Sequence, residues 1–240
     1  MKFIVLTLFK EMFEPFVNTS IIGRAIETKK VEIEIVDIRD YTEDKHRRVD
    51  FAPYGGGNGM IMSCEPLSKA IDYSLEKLKE LDKEIKIVYL SPRGKTLTQA
   101  ISKSISNSNC NYILICGHYE GIDERIIEEY NVEEISIGDY VLTGGELASQ
   151  VLMDSIIRLI PGVITEGSLE EESHTNNLLE YPQYTKPYEF RGKKVPEILI
   201  SGHHQKIAEY RNEESVRITK KFRPDILENN KENSNMKEGK

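Results

Sequence analysis

The sequence is short of cysteine, has no long apolar run and lacks the glycine signatures of the common nucleotide sites. Its three cysteines, Cys64, Cys110 and Cys116, are an odd number without metal-ligand spacing. That excludes a zinc or disulfide framework and suits a reducing compartment. No apolar stretch approaches the roughly 20 residues that a bilayer-spanning helix needs. MKFIVLTLFKEMF places Lys2, Lys10 and Glu11 where a signal peptide would be apolar, so a cytoplasmic location with no membrane partner is expected. Neither GxGxxG nor GxxxxGK[ST] occurs, so no dinucleotide or triphosphate site is indicated. A positive balance is missing too. The 240 residues carry 32 Lys and Arg against 40 Asp and Glu, a formal charge of −8, which taken alone argues against a nucleic-acid partner. The distribution qualifies this: Lys186 to Lys240 holds 13 basic and 9 acidic residues, against 19 and 31 before it. The basic charge sits at the C-terminal end.

What the chain does have is a recurring unit. Lys2 to Leu8 reads as a strand, Pro15 to Glu27 as a helix, and Val31 to Asp37 as a strand, with Val31, Ile33 and Ile35 at every second position. A helix is expected from about Glu65 to Lys83. Then come IKIVYL, turn SPRGKT and helix LTQAISKSI; NYILIC, turn GHYEG and helix IDERIIEEY; EISI, turn GDYVLTGG and helix ELASQVLMDSIIRLI. Strand, turn and helix in series predict a parallel α/β sheet, with ligands at the carboxyl ends of the strands, where these turns lie. Residues 1–164 make the main domain, the polar stretch 165–177 a flexible linker, 178–228 a small, mostly helical domain, and 229–240 a disordered tail.

One glycine turn alone reports only a backbone at positive φ. Three at adjacent strand ends could surround a flat heterocycle with backbone N–H and C=O groups. The helix after Gly145 is apolar around most of its circumference and is expected to be buried, against another subunit in one reading. Gln150, Asp154 and Arg158 form its polar stripe. Asp154 and Arg158 have the spacing of an i,i+4 ion pair, and Arg158 in an apolar setting could also stabilise negative charge on a substrate. In CGHYEGIDER, Asp123 suits a helix N-terminus, whereas Glu120 lies inside the glycine turn and is free to accept from a ligand. PYGGGNGM, with KHRR just upstream, is either a plain surface loop or a phosphate contact, its glycines admitting close approach and its arginines holding phosphates. SGHHQKIAEYRNEESVRITKKFRP reads as a capped helix with basic residues along it, a solvated charged face or an RNA-facing one.

PYGGGNGM, YLSPRGK, CGHYEGIDER, SIGDYVLTGGEL, RLIPGV, LLEYPQYTKP and SGHHQKI occur in this order over nearly the whole chain. On these motifs the sequence resembles the bacterial tRNA (guanine-N1)-methyltransferases of the TrmD type, in the SPOUT superfamily. The resemblance implies an α/β methyltransferase domain whose parallel sheet is threaded as a deep trefoil knot, a helical tRNA-binding domain, and a homodimer with active sites at the subunit interface. It implies S-adenosyl-L-methionine as cofactor, held by Tyr89, Leu90, Ser91, Pro92 and Gly94, by Gly117, Tyr119, Glu120 and Gly121, and by Ser136, Ile137, Gly138, Asp139, Tyr140, Val141, Leu142, Gly144 and Gly145. RNA contacts are expected from His46, Arg47, Gly55, Gly56, Gly57, Asn58 and Gly59, and from Ser201 and His203. The sequence leaves dependence on Mg²⁺ open.

Guanine N1 carries a proton at neutral pH, so methylation there needs a base for that proton and a cation for charge developing at O6. Arg158 suits the cation. The resemblance puts the base in the linker, where the family's EDS aspartate corresponds to Glu172 in EEES, with Glu171 as fallback; a solvated charge run is the plain alternative. Phe51 stands where the family usually has an aspartate, and Tyr210 where it has a tryptophan. A knotted methyltransferase for another RNA site is argued against by SGHHQKI. A relative that binds RNA without catalysis is favoured only by the Asp-to-Glu change.

Overall fold

In β1 (Lys2–Thr7) every residue from Phe3 onward is buried, and the side chains divide between two apolar clusters: Phe3 and Val5 in one, Ile4 and Leu6 in the other. This is the period-two alternation of a strand covered on both faces. The computed structural model describes residues 1–169 and 171–227. The tail expected at 229–240 lies outside them. The chain divides into one unit from Met1 to Ile164 and another from Thr165 onward.

The helix expected over Pro15–Glu27 is two helices, α1 (Glu14–Asn18) and α2 (Ser20–Glu27). The break falls at Thr19, which is extended at φ −126° and whose hydroxyl donates to the Pro15 carbonyl at 2.6 Å. A threonine side chain competing for a helix carbonyl is a local cause that periodicity does not register. Then follow β2 (Glu32–Asp37), the short antiparallel pair β3 (Asp50–Phe51) and β4 (Ile61–Met62), and α3 (Cys64–Lys79). The pair β3–β4, which the sequence reading did not contain, anchors the two ends of the glycine loop.

The remaining elements of the first unit are β5 (Glu84–Thr96), α4 (Gln99–Ser106), β6 (Cys110–Ile115), α5 (Glu124–Glu129), β7 (Glu133–Ser136) and α6 (Glu146–Ile157). The sheet runs β2-β1-β6-β5-β7 with every neighbouring pair parallel. All six residues of the central β6 are buried. One core cluster joins Val88, Tyr112 and Leu114 to Leu152, Met153 and Ile156 of α6; the other joins Ile87, Ile113 and Ile115 to Leu67, Ile71 and Leu78 of α3.

β5 departs from expectation. It was expected to end at Leu90, but continues to Thr96 across a bulge: Leu90 and Lys95 both stand opposite Ile135. Ser91–Gly94 are thereby pushed out of the ladder, the usual consequence of extra residues in one strand. Gly94 is required at the return, because a Cβ there would lie 2.5 Å from the backbone nitrogen of Ile135.

Among its described residues the second unit contains single 3-10 turns at Glu166–Ser168 and Glu197–Ile200, a hairpin of β8 (Glu189–Phe190) and β9 (Lys193–Lys194), and one α-helix, α7 (His204–Phe222). It is less helical than the sequence suggested. Pro182, Pro187 and Pro196 disfavour the helical conformation for the residues before them, and α-helix begins only at His204.

Gly94→Ala should destabilise the first unit by about 1–3 kcal/mol through overpacking against β7. A fall of several degrees in melting temperature is expected; an unchanged value would mean that the bulge adjusts without cost.

Candidate active site

The three glycine turns converge on one pocket of about 210 Å³. From β5 come Tyr89, Leu90, Ser91 and Pro92; from the turn after β6, Gly117, His118, Tyr119, Glu120 and Gly121; from the end of β7 and the turn beyond it, Ile135, Ser136, Ile137, Gly138, Tyr140, Val141, Leu142, Thr143, Gly144 and Gly145. Ala148 closes one side from the first turn of α6. The structure thus brings together every expected cofactor residue except Gly94, which packs against β7, and Asp139, which does not line the wall. His118 and Thr143, to which the sequence reading gave no role, do line it. Their position between lining neighbours in the same turns is the signal that could have found them.

The turns touch through backbone. Gly145 N–H donates to the Gly117 carbonyl at 2.8 Å, and His118 bridges to Gly144. A Cβ on Gly145 would lie 2.7 Å from Cys116 Cα, and one on Gly117 would lie 2.6 Å from the Tyr89 ring. The Ser136 hydroxyl holds the start of the third turn, accepting from Gly138 N–H at 3.1 Å and donating to the Gly138 carbonyl at 3.0 Å. Tyr119 is the strained member of the second turn, at φ +58° with its ring half exposed. Burial pushes the Tyr89 phenol above its ordinary pKa, so that wall presents a neutral hydroxyl.

Behind the wall lies a polar layer. Glu146 is 2% exposed and accepts from the Thr7 hydroxyl at 2.8 Å. His118 Nδ1 stands 3.9 Å from its other oxygen, and Phe9 packs on the imidazole with ring centres 4.9 Å apart. Outside the pocket, Arg93 in the bulge grips Glu134 at 2.8 Å and Glu124 at 2.7 Å. Asp123 caps α5, accepting from Arg125 N–H at 3.0 Å, and the Arg125 guanidinium holds its carboxyl well below the usual range.

The glycine loop abuts this site. Gly55, Gly56, Gly57 and Gly59 all have positive φ, and a Cβ on Gly59 would lie 2.6 Å from the Glu120 carboxylate. Glu120 N–H donates to the Met60 carbonyl at 3.0 Å, tying the loop to the second turn. Tyr54 at the loop's edge is fully exposed, and Phe51 is largely so. Of the basic run, Arg47 pairs with Asp40 and approaches Asp37 at 3.8 Å; His46 N–H donates to Asp44 at 2.7 Å. Arg158 is the half-buried C-cap of α6, its N–H donating to the Asp154 carbonyl at 3.1 Å. Glu172 is half-buried in the second unit. There also Ser201, exposed, accepts from His203 N–H at 3.2 Å just before α7. Among the described residues no group of three or more His, Cys, Asp or Glu side chains could hold a metal ion, and no helix is long and apolar enough to cross a membrane.

Residues 1–229 match the family model described as tRNA (Guanine-1)-methyltransferase TrmD. The chain belongs to this family. Among its relatives, the protein named tRNA (guanine-N(1)-)-methyltransferase from Ruminiclostridium cellulolyticum is 55% identical over 228 residues, 95% of this chain and 96% of the relative. The proteins of the same name from Mycoplasma capricolum and Clostridium perfringens are 50% and 52% identical, over 99% and 95% of this chain and 96% and 94% of their own lengths. The family match spans the pocket-bearing unit and the second unit through α7.

Thr7→Val removes a hydrogen bond from a buried carboxylate and should cost about 1–3 kcal/mol. Thermal unfolding of the variant checks this; an unchanged midpoint would mean that another donor takes over the Glu146 oxygen.

Proposed function

We propose that this chain transfers a methyl group from S-adenosyl-L-methionine to N1 of the guanosine immediately 3′ of the anticodon, position 37 of tRNA. The observation that carries this reading is the convergence of three glycine turns on one pocket in a chain that belongs to the TrmD family over residues 1–229. The family implies S-adenosyl-L-methionine as methyl donor, and the pocket fits it. Gly117 and Gly145 let the walls close on one another and on Tyr89 around the cavity, Ser136 and the turn amides offer polar contacts, and Leu90, Ile137 and Leu142 offer apolar ones. When bound, that molecule supplies an electrophilic methyl group on a sulfonium.

The protein's own share is proton and charge management. Glu172 takes the N1 proton as general base. Arg158 stabilises the negative charge that develops at O6, from the end of an apolar helix where a fixed guanidinium acts strongly. The target base leaves its stack to reach the pocket, and the 165–177 linker carries Glu172 over it as a lid. His46, Arg47 and the Gly55–Gly59 loop contact RNA; the loop's hydrogen bond to the Glu120 turn supports a role beside the pocket. Ser201, His203 and α7 supply the contacts of a tRNA-binding domain. Arg47 reaches phosphate by exchanging Asp40.

The working form is a cytoplasmic homodimer with the active site at the subunit interface, its main domain threaded as the SPOUT trefoil knot. The half-exposed Leu147 and Val151, one turn apart on α6, and the exposed Val141 support such an interface. Passage of the Gly138–Gly145 turn against the backbone of Cys116 and Gly117 supports the threading.

The deciding assay is methyl transfer to a tRNA transcript with guanosine 3′ of the anticodon, beside the same transcript with adenosine there. Methylation of the first alone is expected, whereas labelling of both, or of neither, would reject this reading. Repeating it with EDTA tests the Mg²⁺ dependence. Glu172→Gln should lower turnover by at least about 100-fold, the lower end of the range for a general base, while cofactor affinity measured by calorimetry stays unchanged. Arg158→Ala should lower turnover by about 100-fold; normal turnover in a folded dimer would remove Arg158 from the mechanism.

A further inference from the structure

Within the second unit, the segment that carries Glu172 has a fixed frame. Thr175 N–H donates to the Glu172 carbonyl at 3.1 Å, His174 N–H to the Leu178 carbonyl at 2.8 Å and Glu180 N–H to the Ser173 hydroxyl at 3.0 Å. The folded segment is then tied to α7, where Leu179 N–H donates to the Thr219 hydroxyl at 2.8 Å. Thr219, fully buried, donates in turn to the Ser215 carbonyl at 2.7 Å.

Glu171 adds a side-chain tie. Its carboxylate accepts from the Tyr181 hydroxyl and from Arg211 Nη1, the latter at 3.4 Å. The Arg211 guanidinium lies 4.7 Å from the centre of the Tyr181 ring. Glu171, Glu172, Tyr181 and Arg211 share the walls of a cavity of about 180 Å³. A solvated charge run would leave Glu171 without such partners. The ion pair is partly exposed, and such pairs contribute too little to stability to hold the unit together. A contact of that size can still choose one arrangement of a short segment over its alternatives.

We propose that Glu171, Tyr181 and Arg211 form a latch that fixes the Glu172-bearing end of the lid to α7, so that lid and helix bring the base to the guanine as one body. The latch rests on the reading of Glu172 as base. Its three members are positioning residues: they set where the neighbouring carboxylate stands and do not touch the reacting atoms.

A double-mutant cycle on the full-length protein tests it, with Glu171→Gln, Tyr181→Phe and the double variant. Arg211 is left in place, since loss of its charge on α7 would disturb tRNA binding directly. Each single change should lower the single-turnover methylation rate by about tenfold, since a small misplacement of a catalytic group is costly. The double variant should be no slower than either single, because both changes break one contact. Dissociation constants for tRNA and for S-adenosyl-L-methionine and the melting temperature should stay at wild-type values, which a merely structural defect would not allow. Wild-type rates in the singles, or losses that multiply to about 100-fold in the double, would overturn the latch. Glu172→Gln is run alongside. If it is inactive while the two singles are fully active, the latch alone fails; if it turns over normally, the base assignment fails and the latch with it.

Discussion

The first unit depends on the approach of two backbones. Gly145 N–H meets the Gly117 carbonyl at 2.8 Å, close enough that a Cβ on Gly145 would collide with Cys116 Cα at 2.7 Å. That contact locks the turn after β7 onto the turn after β6, and between them they leave the pocket. It also fixes the start of α6, whose first residue, Glu146, is drawn into the core beside Thr7. Without glycine at these positions the turns would stand apart, α6 would lose its register on the sheet, and the third wall of the pocket would open.

The bulge in β5 answers the same constraint from the other side. Four residues leave the ladder and return against β7, so one strand both builds the sheet and supplies the wall formed by Ser91 and Pro92. Arg93, at the tip, is held by two glutamates from β7 and α5. Being exposed, this clamp contributes little to global stability; its effect is to limit where the bulge can stand. Main-chain geometry makes the cavity, and side-chain pairs at its rim reduce its freedom.

Charge is divided along the chain in the way that its two kinds of work require. Acidic residues dominate the sheet-bearing unit, where they cap helices and pair with Arg47, Arg93 and Arg125. The excess of basic residues lies from Lys186 onward, on and around α7, where Arg217 and the C-cap Arg223 are themselves paired with Glu214 and Asp225. Met1–Ile164 carries 19 basic and 26 acidic residues, whereas the stretch from Lys186 carries 13 against 9, and it is this local balance rather than the total of −8 that a polyanion would meet.

Much of this was legible in the sequence, for definite reasons. The parallel sheet followed from strand, glycine turn and helix repeating three times, because alternating and 3.6-residue periodicities are written in the residues themselves. The three turns were identifiable as pocket walls because parallel sheets place their loops at the strand ends. The break at Thr19, the continuation of β5 past Leu90, the non-helical course around Pro182 and Pro187, and the buried place of Glu146 were decided only in three dimensions. Each results from a competing contact: a hydroxyl taking a helix carbonyl, a bulge finding β7, prolines denying helix, and a carboxylate finding Thr7 across the core. His118 shows the same limit. Nothing in GHYEG separates a surface histidine from one lodged between Phe9 and Glu146, because its neighbours come from the segment after β1 and from α6, far away in the chain. By itself the sequence determined the elements and their order, since these depend on neighbours along the chain. Tertiary structure decided which side chains face one another, because those energies exist only once distant segments are packed together.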